Sequence, residues 1–216
     1  MNDIRLRLLW VVITNDDTLN VTAIARLLGI RQPVATNGLR ALQSRGLIGV
    51  RRERYSVYYN LQEDRSLPEA TQLRTAFADY FKSNELPDEW TESMMVILKA
   101  FTHFNRLAMI RRLARGEATK SELEKASGIV VKTIEHHLRI LSRAGLVDCL
   151  SDSHGIGIYR LHPQQNPISK ELLRQTCGGE LDYFNAATGS ERNLRLIHDK
   201  DGNRGFVKVN QTPIYD

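Results

Sequence analysis

The sequence predicts a mainly helical α+β chain in which small β-hairpins follow groups of helices. Three observations predict it: an internal repeat, a helical periodicity with one polar face, and β-forming runs that bracket a short tip. Sliding the 216-residue chain along itself by 99 residues lays GIRQPVATNGLRALQSRGLI over GIVVKTIEHHLRILSRAGLV without a gap, and seven of the twenty positions are identical. Self-similarity at a fixed offset means one supersecondary unit used more than once. Each copy reads helix, helix, turn, helix, hairpin. The chain divides accordingly into a first module at 1–62, a helical connector at 63–93, a second module at 94–163, and an extension at 164–216 with a helix and a β-hairpin.

In the first copy Asn20 opens the short helix before the turn and Gly29 closes it. An Asn side chain caps orphan backbone amides, and Gly accepts the left-handed conformation that ends helices. Residues 32–44 fall into two halves of a helical wheel. Val34, Ala35, Gly38, Leu39, Ala41 and Leu42 form the packed half. Gln32, Pro33, Thr36, Asn37, Arg40, Gln43 and Ser44 form the open half, with one Arg and no acid. Pro33 suits the first helical position, where its missing N–H costs nothing. Gly38 costs about 1 kcal/mol in a helix interior relative to Ala, and its place on the packed half points to a close helix–helix approach. Leu47–Val50 and Val57–Leu61 then read as the strands of a hairpin, with Arg51, Arg52 and Arg54 at its tip.

The connector spaces Leu73, Ala76, Phe77, Tyr80 and Phe81 as an amphipathic helix. It either bridges the two copies or forms a dimer interface, with Trp90, Met94 and Met95 extending its apolar surface. In the second copy Met95–Arg115 is one long helical stretch or two, ended by Gly116. Thr119 and Glu122 make a capping box, in which each side chain satisfies an orphan backbone donor. Gly128 is a left-handed C-cap. The hairpin LVDCLSDSHGIGIYRL follows, and its tip, Ser151–Gly157, has no Arg or Lys. In the extension Pro167–Cys177 reads as a helix and NLRLIHDKDGNRGFVKV as a hairpin turning on Asp201–Gly202.

The net charge is +5, and its distribution is uneven. Residues 1–62 carry nine Lys/Arg against four Asp/Glu, and residues 96–162 carry eleven against six. The stretch between them, 63–95, carries three against eight. Two basic blocks point to a polyanionic partner. Other classes are disfavoured. No run approaches the roughly 20 apolar residues of a membrane helix, and the N-terminus lacks the pattern of a secretion signal. Cys149 and Cys177 are the only cysteines, too few for a disulfide framework or a four-thiolate zinc site, so a cytoplasmic location is expected. There is no Gly-rich phosphate loop, no GxSxG and no HExxH, so neither a catalytic site nor a cofactor is expected. DKDGN at 199–203 starts like a calcium loop, but Arg204 and Asn210 stand where that loop needs Gly and Glu. Adjacent His136 and His137 project about 100° apart on a helix. His137 reads as a core histidine and His136 as a contact to phosphate or base. Cys149 reads as a small apolar strand residue; Cys177, at a helix end, leaves packing, interface and redox roles open.

A helix–turn–helix followed by a two-stranded hairpin is the winged helix–turn–helix pattern. The stretch LKAFTHFNRLAMIRRLARGEATKSELEKASGIVVKTIEHHLRILSRAGLV resembles the ArsR-type family of bacterial repressors, most specifically in HHLRIL and RAGLV. The first copy resembles the wider winged-helix repressor pattern through GIRQPVATNGLRALQSRGLI. The resemblance leaves out the connector and the extension. It implies that the helix after the turn reads DNA and that the hairpin, or wing, grips its backbone. By motif position, the DNA contacts fall to Gln32, Thr36, Asn37 and Arg40, with Arg51, Arg52 and Arg54 of the first wing. In the second copy they fall to Lys132, Thr133, His136 and Arg139. Glu135 stands where the family usually has Ser, and a carboxylate facing phosphates is unfavourable unless it accepts from a cytosine amine or pairs with Arg139. The first copy is therefore expected to be the stronger reader. The family's metal-sensing positions are unfilled, since Lys120–Ser127 holds no Cys and Pro167–Cys177 no His, so no metal is expected. The resulting expectation is a non-enzymatic, sequence-specific transcriptional regulator, acting as a repressor and binding double-stranded DNA as a homodimer. The alternative is a winged-helix protein–protein scaffold, as in kleisin-binding chromosome-condensation subunits. A ligand-gated sensor is a third reading.

Overall fold

A computed structural model of the chain describes residues 2–15, 19–53, 56–61, 67–84, 87–151, 156–178, 194–198 and 204–208. The chain falls into two compact units, Met1–Leu98 with Gln165–Leu172, and Lys99–Gln164 with Leu173–Asp216.

The first unit opens with α1 (Asp3–Thr14), α2 (Val21–Leu27) and α3 (Gln32–Gln43). Both α1 and α2 begin on an Asn, whose side chain accepts from the amide three residues on: Asn2 from Arg5 and Asn20 from Ala23. Leu28 is the C-cap of α2, and Gly29 follows it in the left-handed region at φ +62°. Pro33 stands one residue later in α3 than expected, because Arg31 is the N-cap and Gln32 the first helical residue. Its missing N–H is still one of the orphans of the first turn. Ala35, Gly38, Leu39 and Leu42 of α3 are buried, as the wheel requires. The close approach at Gly38 is real: a Cβ there would lie 2.3 Å from Leu8 Cδ1 of α1.

A hairpin of β1 (Gly49–Glu53) and β2 (Ser56–Asn60) follows, in register from Gly49 opposite Asn60 to Glu53 opposite Ser56. Its strands run further than the β-forming residues alone indicated. Arg51 and Arg52 are therefore strand residues opposite Tyr58 and Val57, not tip residues. The backbone ladder continues through them because an edge strand of a two-stranded sheet exposes its side chains and tolerates charge there. Arg54 lies outside the described residues.

The amphipathic segment of the expected connector is α4 (Pro68–Ser83), followed by α5 (Pro87–Ala100). Phe77 and Phe81 of α4 and Trp90 and Met94 of α5 are buried in the same core as Leu6, Leu9, Ile24 and Leu39. Both helices thus pack as part of the first unit. A three-helix module with one hairpin buries too small a fraction of its surface to be comfortable alone, and the aromatic side chains of α4 and α5 add the missing apolar volume.

The second unit contains α6 (Phe104–Ala114), β3 (Ala118–Thr119), α7 (Lys120–Ser127), α8 (Val131–Arg143), β4 (Val147–Ser151) and β5 (Gly157–Leu161). The stretch 95–115 is two helices, since α5 ends at Ala100 and His103 N-caps α6, its Nδ1 accepting from the Asn105 amide at 3.2 Å. The capping box at Thr119 and Glu122 is present, and Gly128 caps α7 at φ +69°. Helices, turn and hairpin thus recur in the order seen in the first unit. Where the second unit pairs β3 with β5, the first has a single bridge between Asn20 and Tyr58.

The extension supplies α9 (Pro167–Cys177), β6 (Leu194–His198) and β7 (Arg204–Lys208). The expected hairpin is present as antiparallel β6–β7, and β7 runs parallel to β4 with Phe206 opposite Leu150. The sheet order is β3-β5-β4-β7-β6. The turn at Asp201–Gly202 and most of the second wing's tip lie outside the described residues. Cys149, expected as a small apolar strand residue, lies in β4 opposite Tyr159 and is exposed. Cys177 is buried at the end of α9. Among the described residues no helix is long and apolar enough to cross a membrane.

Candidate nucleic-acid interface

The first unit's candidate face is built on α3. Packing of its apolar stripe against α1 and α2 turns the opposite side to solvent, so Gln32, Asn37 and Arg40 are exposed and Thr36 is half-buried. The Thr36 hydroxyl donates back to the Gln32 carbonyl at 2.9 Å. Its proton is thus engaged within the helix, leaving its lone pairs and methyl for an outside contact. Arg51 and Arg52 are exposed on β1. Arg51 pairs with Glu53, and its guanidinium lies 5.2 Å from the centroid of the Tyr58 ring. Stacking on an aromatic face and a carboxylate holds the guanidinium in one place.

Helix and hairpin meet electrostatically at Tyr59. Burial pushes the Tyr59 hydroxyl above its ordinary pKa, and the charges of Arg40 and Arg52 oppose that rise. The charges of one residue on α3 and one on β1 thus act on the same phenol.

The second unit's face is built on α8. Ile134, His137, Leu138 and Leu141 are buried, and Lys132, Thr133, Glu135, His136 and Arg139 are exposed. His137 is the core histidine that its position on the wheel predicted. The unpredicted feature is its neighbour Arg106, itself buried on α6. Arg106 Nε donates to the Ala100 carbonyl at 3.0 Å and Nη2 to the Lys99 carbonyl at 2.8 Å, while Nη1 lies 3.3 Å from His137 Nδ1. A guanidinium only donates, so Nδ1 accepts and the imidazole is neutral with its proton on Nε2. Burial, and then the charges of His103, Arg106 and His136, hold His137 below its usual pKa of 6.5.

Glu135 does not rely on Arg139, the partner weighed from the sequence. Lys120 Nζ, on the first residue of α7, donates to its carboxylate at 2.7 Å. That hydrogen bond and charge, with a smaller share from Arg139, hold Glu135 below the usual carboxylate range. The second wing carries Arg160 on β5, 3.7 Å from Asp148, whose carboxylate also meets His162 Nδ1 at 2.9 Å. Tyr159 corresponds to Tyr59 in the repeat. Its hydroxyl is pushed up by burial first, then by Cys149 and by the charge of Glu135. The charges that act on the first unit's phenol are cationic, whereas the second unit's phenol hydrogen-bonds a thiol and feels the charge of a carboxylate. Lys120 and Arg106 escaped the sequence reading because both act across elements; the only local signal was Lys120 at the start of a helix that abuts the turn. Among the described residues no group of three or more His, Cys, Asp or Glu is placed to hold a metal ion.

Residues 104–148 match the family model described as bacterial regulatory protein, arsR family. The match runs from the start of α6 to the second residue of β4, well under half of the chain. This segment is a helix–turn–helix domain of a kind used by DNA-binding regulators. No curated protein matches the chain.

Proposed function

We propose that the chain is a sequence-specific, DNA-binding transcriptional repressor built from two winged helix–turn–helix modules. Its reading surfaces are the exposed faces of α3 and α8. The carrying observation is the segment matched to the arsR family, in which Lys132, Thr133, His136 and Arg139 stand outward on α8 while Ile134 and Leu138 pack inward. A repeat of the same element order supports a second reading head, in which Gln32, Thr36, Asn37 and Arg40 hold the corresponding face. Gln and Asn match the paired donor and acceptor of adenine, and Arg matches guanine, in the major groove. Arg51, Arg52 and Arg54 supply backbone contacts that fix register without reading sequence. Two heads reading half-sites about one turn apart, in a chain that pairs with a second copy, give the two-fold operator geometry common among bacterial repressors. No chemistry is assigned to the site beyond binding.

The test is a titration of the full chain against genomic duplexes at several salt concentrations. Affinity is expected to fall steeply with salt, and Arg51→Ala with Arg52→Ala to lower the log–log slope by about one per lost phosphate contact. Salt-independent binding, or none, contradicts the proposal.

A further inference from the structure

The two candidate reading faces differ at one corresponding position. Thr36 in α3 aligns with Glu135 in α8 across the 99-residue offset. Glu135 is exposed, lies three residues after Lys132 and four before Arg139, and is tied across the turn to Lys120 at 2.7 Å. It occupies the N-terminal half of α8, the end of a recognition helix that approaches base edges. An unpaired carboxylate at that place repels a polyanion. With Lys120 attached, the pair is neutral as a whole and its acceptor oxygens are held in position.

Resting on the DNA-binding reading above, we propose that Glu135, positioned by Lys120, selects cytosine at one place in the half-site read by α8. A cytosine presents its N4 amine in the major groove as a donor, and a carboxylate accepts from it. Guanine and thymine offer acceptors at the same level, which repel the carboxylate. Adenine offers a donor beside the N7 acceptor, an incomplete match. When the amine is engaged, Lys120 is shared between Glu135 and the nearby phosphate. When it is not, the pair stays closed and adds no net charge to the face that carries Lys132 and Arg139. The first head, with Arg51 and Arg52 exposed on β1 and no acid on α3, meets the duplex without a carboxylate on its reading helix. Glu135 adds discrimination at one position of the second half-site.

The experiment selects duplexes from a randomised library with the full-length wild-type chain. It then measures Glu135→Gln and Lys120→Met on the selected duplex, on its single-base-pair variants and on an unrelated duplex. Glu135→Gln is expected to bind the unrelated duplex more tightly, with a salt slope steeper by about one, because Lys120 is released. It is also expected to lose about tenfold discrimination at one cytosine position. Lys120→Met is expected to weaken all duplexes and to reduce the cytosine preference, because Glu135 loses the contact that positions it. A Glu135→Gln chain with unchanged preference at every position overturns the proposal, and if Arg40→Ala still weakens the same duplexes the DNA-binding reading stands without it. Wild-type chain that enriches no duplex overturns both.

Discussion

His137 shows how a single side chain couples this fold to pH. Its ring is buried between α8 and α6 beside Arg106, a cation fixed by three carbonyl and hydroxyl acceptors on Lys99, Ala100 and Thr102. His103 lies 4.8 Å away by ring centroids and His136 5.7 Å. Burial first, and then the charges of His103, Arg106 and His136, disfavour a positive charge on His137, which is why its pKa is lowered. The unfolded chain takes up the proton more readily than the folded one, so stability rises with pH across the interval between the lowered value and the usual 6.5. The contribution is complete above that interval and is lost as the pH falls through it. Urea midpoints measured from pH 8 down to about pH 5 are expected to decline on acidification. In His137→Leu that part of the decline disappears. A midpoint that holds or rises on acidification, or a variant with the wild-type slope, contradicts the placement of a neutral His137 in the core. The sequence alone assigned His137 to the core by its wheel position; Arg106, thirty-one residues away, had no such signal, because a buried Arg reads like any surface Arg until its carbonyl partners are seen.

At the scale of elements, the crossing of α1 and α3 turns on Gly38. Its position on the packed half made the close approach legible in the sequence, but the partner, Leu8, was not, since nothing local fixes which turn of α1 faces it. A methyl at position 38 meets Leu8 Cδ1 at 2.3 Å, and Leu8 is fully buried, so its side chain has no free space to turn into. Gly→Ala in a helix interior gains about 1 kcal/mol of propensity, while overpacking costs about 1–3 kcal/mol. Gly38→Ala is therefore expected to destabilise the wild-type chain by about 1 kcal/mol, and to stabilise the Leu8→Ala chain, where the methyl fills space the truncation opens. The double-mutant cycle by chemical denaturation checks this. Additive effects of the two substitutions contradict the crossing. The second unit solves the same crossing differently, with His137 at the position of Gly38 and Arg106 across from it. The hairpins were legible as elements but not in extent. Arg51 and Arg52 are weak strand formers by composition, and cross-strand pairing with Tyr58 and Val57 places them in β1.

For the whole molecule, the repeat carried most of what the sequence could tell. Shared Gly, Leu and Arg positions located both turns, the helix after each and both hairpins before any coordinates. The affiliation of α4 and α5 was not legible, because an amphipathic face states that it is buried and not against what. Phe77, Phe81 and Trp90 could belong to either module or to a second chain until the core of the first unit placed them. The pairing of β7 with β4 was equally hidden, since backbone hydrogen bonds leave little trace in side-chain choice. The outward faces of α3 and α8 are proposed as the surfaces that meet a duplex. A photo-crosslinking amino acid placed at position 37, at position 136, and as a control at exposed Asp79 of α4 tests it most directly, in the full chain bound to a selected duplex. Crosslinks to bases from 37 and 136, and none from 79, are predicted; a chain that binds the duplex yet crosslinks from neither 37 nor 136 contradicts the account.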